Sequence, residues 1–229
     1  MTVNDLSGNK PVKEFTFDHA FWSHDDFVIQ DDGFAAPASA TSKYTDQKKV
    51  WDLLGASVLE KAWKGLNNTI FAYGQTGAGK SYSIFGYPGN KGIIPIGATK
   101  LFEKIAAETD PNIRYEVTVQ MVEIYMEKIQ DLLIPAAKRG KSDLPIKFSK
   151  EGVRVQGATK TPVTNYNDIQ RVIDAGEGNR TIQATQMNAT SSRSHTVVTI
   201  DFTKFTKMGG KEGSTKSAIN IVDLAGSEK

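Results

Sequence analysis

Residues Gly74-Gln75-Thr76-Gly77-Ala78-Gly79-Lys80-Ser81 fit the pattern G-x-x-x-x-G-K-[ST]. A loop of this kind constrains the chain around it, because it must leave a strand and enter a helix. Its glycines let the backbone turn tightly and bring N–H groups close to phosphate oxygens. Lys80 supplies a mobile positive charge, and the Ser81 hydroxyl suits a magnesium ion. The flanks agree: Thr69-Ile70-Phe71-Ala72-Tyr73 reads as a short buried strand, and the residues after Lys80 can start a helix. Gly74, Gln75, Thr76, Gly77, Ala78, Gly79, Lys80 and Ser81 are therefore candidate phosphate-binding residues.

Composition narrows what the rest can be. A chain of 229 residues, 39% hydrophobic and 24% charged, suits a soluble globular fold of one large domain or two small ones. A net charge of +2 makes no case for nucleic-acid binding through bulk charge. There are no cysteines and only three scattered histidines, so neither disulfides nor a zinc site is expected. No apolar run is long enough to cross a bilayer, and the first residues do not form a signal peptide. The expectation is an intracellular, reducing compartment without membrane insertion.

Along the chain, residues 1–12 read as a loose start and 13–229 as one folded unit. Glu14 to Asp18 alternates like a strand, and Asp25 to Thr45 reads as a long surface loop. Asp46 to Lys64 predicts a helix with Val50, Leu54, Val58 and Ala62 on one stripe, Leu53 beside it, and Gly65 as the stop. Pro95 to Glu108 predicts a second helix with Ile96, Leu101 and Ile105 inward. A strand follows from Tyr115 to Tyr125, then an ambiguous piece from Glu127 to Leu133. Lys138 to Lys141 reads as a solvated basic turn. Short strands are expected near Val153–Val155 and Lys160–Val163, and a helix from Asn165 to Glu177, stopped by Gly176 and Gly178. His195 to Lys207 and Ser217 to Leu224 predict a closing antiparallel hairpin. The fold class is α/β, a mixed sheet of the P-loop NTPase type with helices on both faces.

Two later stretches complete the site. Asn188-Ala189-Thr190-Ser191-Ser192-Arg193-Ser194-His195 offers an amide, hydroxyls and a guanidinium just before a strand. Asp223-Leu224-Ala225-Gly226-Ser227-Glu228 ends an apolar strand in an acid, and its glycine lets the backbone approach a γ-phosphate. Together with the loop at 74–81, these stretches resemble the phosphate loop, switch I and switch II of the kinesin motor domain. Phe15-Thr16-Phe17-Asp18, Glu123-Ile124-Tyr125 with Asp131-Leu132-Leu133, and Gly178-Asn179-Arg180 resemble further kinesin landmarks, so the likeness spans nearly the whole chain from about residue 13. The long loop before the first helix and the wording of Phe71 to Gly77 are similar to transport kinesins of the third class. Myosins share the three-part logic, but Ser194-His195 is kinesin wording, and no guanine-reading Asn-Lys-x-Asp motif occurs.

The resemblance implies a substrate, MgATP, and a track, the microtubule, in the cytoplasm. Lys80 would neutralise phosphate charge, and Tyr82 stands where the family can stack a ring on adenine, the alternative being a helix residue that packs on the sheet. Ser81 and Ser192 would hold Mg²⁺, with Asp223 acting through a water. Asn188 and Ser191 would orient the attacking water, Gly226 would sense the γ-phosphate, and Arg193 would pair with Glu228 to relay a proton. His195 reads as a structural switch residue rather than a general base, and Arg154 and Lys160 as contacts to acidic tubulin. The sequence also departs from the family. It lacks the Arg-x-Arg-Pro strand that cradles adenine, has Met126 where Asn is common after Ile-Tyr, and ends at Lys229, directly after switch II. A truncated motor fold that binds ATP weakly and does not walk alone is the resulting expectation, with Ile70–Tyr73 left as an unpaired edge. Cargo, a dimer partner and any coiled coil in the parent protein lie beyond these residues. The alternatives are a non-motile microtubule-binding kinesin-like module and an unrelated P-loop enzyme such as a small-molecule kinase.

Overall fold

A computed structural model describes residues 2–3, 13–140, 143–149, 152–187 and 193–228. The expected loose segment 1–12 lies almost wholly outside them. Two small antiparallel pairs come first, β1 (Thr2–Val3) with β2 (Lys13–Glu14) and β3 (Phe27–Ile29) with β4 (Ala35–Pro37). Then follow α1 (Gln47–Val50), a π-helical turn (Trp51–Gly55), α2 (Ala56–Trp63), β5 (Asn68–Ala72) and α3 (Lys80–Ile84). A ribbon of β6 (Gly86–Tyr87) and β7 (Asn90–Lys91) leads to α4 (Ile93–Ala106), β8 (Ile113–Tyr125) and β9 (Lys128–Asp131). The rest is β10 (Ile146–Ser149), β11 (Gly152–Val155), β12 (Thr161–Val163), α5 (Tyr166–Met187), β13 (His195–Met208) and β14 (Lys211–Asp223).

The central sheet runs β12-β8-β13-β14-β5, with β9 added along β8. Every pairing is antiparallel except β14 with β5, so the sheet is mixed, as expected. Because side chains alternate along a strand, Val119, Met121, Val198, Ile200, Phe202, Ile219 and Ile221 share one face. That face forms a single core with Leu59 and Ala62 of α2, Ala98 and Leu101 of α4, and Ile169, Val172 and Ile173 of α5. Helices on both faces were expected; the described helices gather on this one. The opposite face, with Thr118, Gln120, Thr199 and Asp201, lines an open cavity of 680 Å³.

Several elements depart from the sequence reading, each for a local reason. The strand expected over Glu14–Asp18 stops at Glu14, and Phe15 and Phe17 are exposed. The loop at Asp25–Thr45 contains the β3–β4 hairpin and ends in buried Tyr44, whose ring packs 5.0 Å from that of Phe27. The first helix starts as predicted, with Asp46 accepting from Lys49 N. The π turn then carries one extra residue and rotates the stripe, so Trp51 and Leu59 go inward while Leu53 and Leu54 face solvent. The Trp51 ring takes the space a Cβ on Gly55 would need. The phosphate-loop strand β5 is the edge of the described sheet, as expected for Ile70–Tyr73 and against the buried strand that its pattern alone suggests, and Phe71 is 64% exposed. The ambiguous piece becomes β9, joined to β8 by a turn with Met126 and Glu127 at positive φ. Arg139 is no solvated turn residue: it donates to Ile134 O and Gln130 Oε1.

The largest departure is α5, which runs through both glycines expected to end it. Gly176 is needed for close approach, since a Cβ there would lie 2.2 Å from the Met121 Sδ beneath it. Gly178 meets nothing. Gly178→Ala is therefore expected to raise stability by about 0.5–1 kcal/mol through helix propensity. Gly176→Ala should lower it by about 1–2 kcal/mol, because overpacking outweighs the same propensity gain. Denaturant unfolding of the two variants side by side checks the opposite signs.

Tyr115 of β8 donates to Glu108 Oε2 at 2.8 Å and packs against the Trp63 and Phe202 rings. Burial first, and the Glu108 carboxylate second, push its phenol up to about 12. A phenol raised on folding contributes stability that is complete below its unfolded value of about 10 and is lost as pH rises through 12. Unfolding curves across that range should show falling stability, and Tyr115→Phe should flatten the slope.

Candidate functional site

β5 delivers the chain into the loop at 74–79, and α3 begins at Lys80 after Gly79, whose φ of 86° is left-handed. The parallel partner of β5 is β14, which sets Ala72 beside Asp223. β14 pairs in turn with β13, which sets Thr196 beside Asp223. The phosphate loop, the start of β13 and the end of β14 therefore meet at the same end of the sheet, where α/β folds place ligands. Backbone bonds hold this junction. Leu224 N donates to Ala72 O at 3.2 Å, Ser227 N to Gly74 O at 3.1 Å and Ala225 N to His195 Nδ1 at 3.0 Å. The last of these needs Nδ1 unprotonated and ties the first residue of β13 to the segment after β14.

A cavity of 230 Å³ opens here, lined among others by Thr76, Gly77, Gly79, Lys80, Ser81, Tyr82 and Asp223. The Lys80 ammonium donates to Gly74 O and Gln75 O, each at 3.0 Å, so its charge rests on the loop's own carbonyls. Ser81 Oγ donates to Asp223 Oδ2 at 2.5 Å. Asp223 is 2% exposed, and its Oδ1 has no hydrogen-bond partner among the described residues. A buried carboxylate oxygen left in that state, beside a serine hydroxyl, suits a hard oxygen-seeking cation. Among the described residues no cluster of three or more Asp, Glu or His could hold a metal without other ligands.

Arg180 of α5 adds charge at the back of the cavity. Its guanidinium lies 3.9 Å from Asp223 Oδ2 and 3.6 Å from Glu123 Oε1, in a setting where all three side chains are buried or nearly so. Burial pushes the neighbouring Glu177 carboxyl up, with Arg180 opposing. In front, Glu228 Oε2 accepts from Thr76 N at 2.9 Å, and the Thr76 hydroxyl donates to Oε1. The Thr76 hydroxyl first, and backbone N–H groups next, hold the Glu228 carboxyl below the usual carboxylate range. Gly226 faces this contact, and a Cβ on it would lie 2.5 Å from Glu228 Oε1.

The predicted residues Gly74 to Tyr82, Asp223, Gly226 and Glu228 are thus brought together. Arg193 is exposed, and Glu228 is taken up by Thr76 rather than by Arg193. Asn188, Ser191 and Ser192 lie outside the described residues. The expected tubulin contact Lys160 is engaged by Asp201 at 2.6 Å. Arg180 and Tyr87 line the cavity but carried no role in the sequence reading. The expected stop at Gly176 and Gly178 hid Arg180, although Gly178-Asn179-Arg180 was its signal. Tyr87 sits in a stretch that reads only as a turn.

No helix among the described residues is long and apolar enough to cross a membrane. The family model "Kinesin motor domain" matches residues 2–229. The kinesin-like protein KIF28 of Mus musculus is 39% identical over 239 residues, which cover 100% of this chain and 22% of that protein. The kinesin-like protein KIF13A of Mus musculus is 41% identical over 223 residues, 96% of this chain and 12% of that protein. The chain therefore spans under a quarter of the length of these relatives. A solved KIF14 dimer, with two heads bound, AMP-PNP and a microtubule, superposes with a TM-score of 0.82 at 36% identity, covering 100% of this chain and 60% of that one. With a family model matched from end to end over the loop, the Asp223 strand end and the Glu228 segment just described, the chain belongs to the kinesin motor domain family.

Proposed function

We propose that the chain forms the ATP-hydrolysing head of a motor that moves along microtubules. The observation carrying this reading is the convergence of Lys80, Ser81 and Asp223 on one cavity beside the phosphate loop, with Glu228 bonded to Thr76 of its lining. The loop's N–H groups hold the phosphates, and Lys80 leaves the carbonyls of Gly74 and Gln75 to meet the β- and γ-oxygens. Ser81 and Ser192 would hold a magnesium ion, with Asp223 acting through a water, and the Asp223 Oδ1, without a partner among the described residues, fits that role. The ion supplies charge neutralisation at the phosphates when bound. Asn188 and Ser191 orient the attacking water. Glu228 leaves Thr76, pairs with Arg193 and passes on the water's proton, while the Gly226 N–H reports the γ-phosphate. Catalysis is then positioning and electrostatics, with no covalent intermediate on the protein.

Support for the track comes from the relatives, since the KIF14 structures were solved on microtubules with AMP-PNP or ADP. Phosphate release from MgATP by the protein, with and without microtubules, tests the reading. It predicts turnover that rises with microtubule concentration. Microtubule binding without turnover would favour a non-motile binding module, and turnover indifferent to microtubules would favour a different P-loop enzyme.

A further inference from the structure

Two tyrosine rings help to line the cavity. Tyr82 stands on α3, one residue after Ser81, and Tyr87 stands on the β6–β7 ribbon. Their centroids are 5.6 Å apart with an interplanar angle of 35°. Tyr87 is 65% exposed, so one face of its ring is open to a ligand.

The ribbon that carries Tyr87 is held firmly. Tyr87 pairs with Asn90 across the two-residue turn Pro88-Gly89, a pairing that fixes the strand direction at the ring. The Asn90 side chain then ties the ribbon to Gly33 and to the start of β4. Its Oδ1 accepts from Ala35 N at 3.0 Å and its Nδ2 donates to Gly33 O at 2.8 Å. The approach is close, since a Cβ on Gly89 would meet the Gly33 backbone at 2.5 Å. Tyr82 is fixed from the other side, where Gln47 Nε2 donates to its carbonyl at 2.5 Å. An exposed ring on a braced ribbon, tilted toward a second ring in the same cavity as a phosphate loop, is arranged to receive a flat group attached to the phosphates.

We infer that Tyr87 is a positioning residue for the nucleotide base, packing on it alongside Tyr82 and recognising its π-face rather than its hydrogen-bonding edge. The inference rests on the nucleotide reading proposed above. Among the described residues that line the cavity none carries a side-chain amide, and the carboxylate there, Asp223, is bonded to Ser81. Stacking tolerates any base and scales with ring area. Adenine and guanine nucleotides should therefore gain about equally from Tyr87, and pyrimidine nucleotides less.

The test is equilibrium binding to the full chain of ATP, GTP and inorganic tripolyphosphate, for wild type, Tyr87→Phe and Tyr87→Ala. The expected result is that Tyr87→Ala weakens ATP and GTP by about tenfold each, within the range of one base–aromatic stack, and leaves tripolyphosphate unchanged. Tyr87→Phe should bind all three like wild type, because the ring remains. Equal weakening of ATP and tripolyphosphate would show a role in shaping the loop instead and overturn the inference, as would unchanged ATP binding in Tyr87→Ala. Wild type that binds neither ATP nor tripolyphosphate would remove the nucleotide reading itself, an outcome distinct from both.

Discussion

Replacing Lys80 with alanine is expected to weaken ATP binding by on the order of a hundredfold and to abolish measurable hydrolysis. The reason lies in what surrounds the ammonium. It is the cation of the phosphate loop itself, and it rests on two carbonyls, Gly74 O and Gln75 O, that cannot neutralise it. A polyphosphate offers full negative charges at the same place, so the ammonium exchanges two neutral contacts for charge-assisted ones. Alanine removes that gain and leaves the phosphates facing loop amides alone. Lys80→Arg should not rescue hydrolysis, because a planar guanidinium cannot sit as a compact point charge between two phosphates. Isothermal titration with ATP, followed by phosphate-release kinetics, reads both effects. The fold should survive, since Lys80 covers no part of the apolar core.

Glu228→Ala is the second large effect, and it separates binding from chemistry. Hydrolysis should fall by on the order of a thousandfold, the scale of a lost proton-transfer group. ATP affinity should stay within about threefold of wild type, because one exposed hydrogen-bonded contact to Thr76 has a small net worth. The carboxyl is held in its ionised form by the Thr76 hydroxyl and by backbone N–H groups, so it is ready to accept a proton once it leaves Thr76. Single-turnover measurements would show normal nucleotide uptake and no phosphate burst. Normal steady-state turnover in this variant would remove Glu228 from the mechanism.

Much of the fold was legible because its period-two segments are long and end in sharp turns. β8, β13 and β14 show clean alternation, and pairing them sets His195 and Asp223 at one end of the sheet; the parallel pairing of β14 with β5 then brings that end to the phosphate loop. Three things were hidden for physical reasons. The π turn at Trp51–Gly55 depends on where a buried indole fits against Gly55 and Gly97, which is a tertiary fact. The passage of α5 through Gly176 depends on Met121 of a strand more than fifty residues earlier, so the local rule that glycine ends helices gave the wrong boundary and left Arg180 without a helix to stand on. The strand expected after Glu14 has the right pattern, but Phe15 and Phe17 are exposed, and alternation that buries neither face does not by itself hold a strand. At the site, residue identities followed from the motifs, whereas partners did not. Nothing in the spacing says that Glu228 rests on Thr76, or that Arg180 approaches Asp223.

The central claim is that these residues form a γ-phosphate site rather than a merely polar end of a sheet. A structure of the chain with AMP-PNP and Mg²⁺ tests it most directly. The account predicts the β- and γ-phosphates against the N–H groups of Gly77 to Ser81, Lys80 moved off Gly74 O, the Ser81 hydroxyl turned from Asp223 to the ion, and Glu228 released from Thr76. Nucleotide bound elsewhere, or bound here with Lys80, Ser81 and Glu228 still in their present contacts, would contradict it.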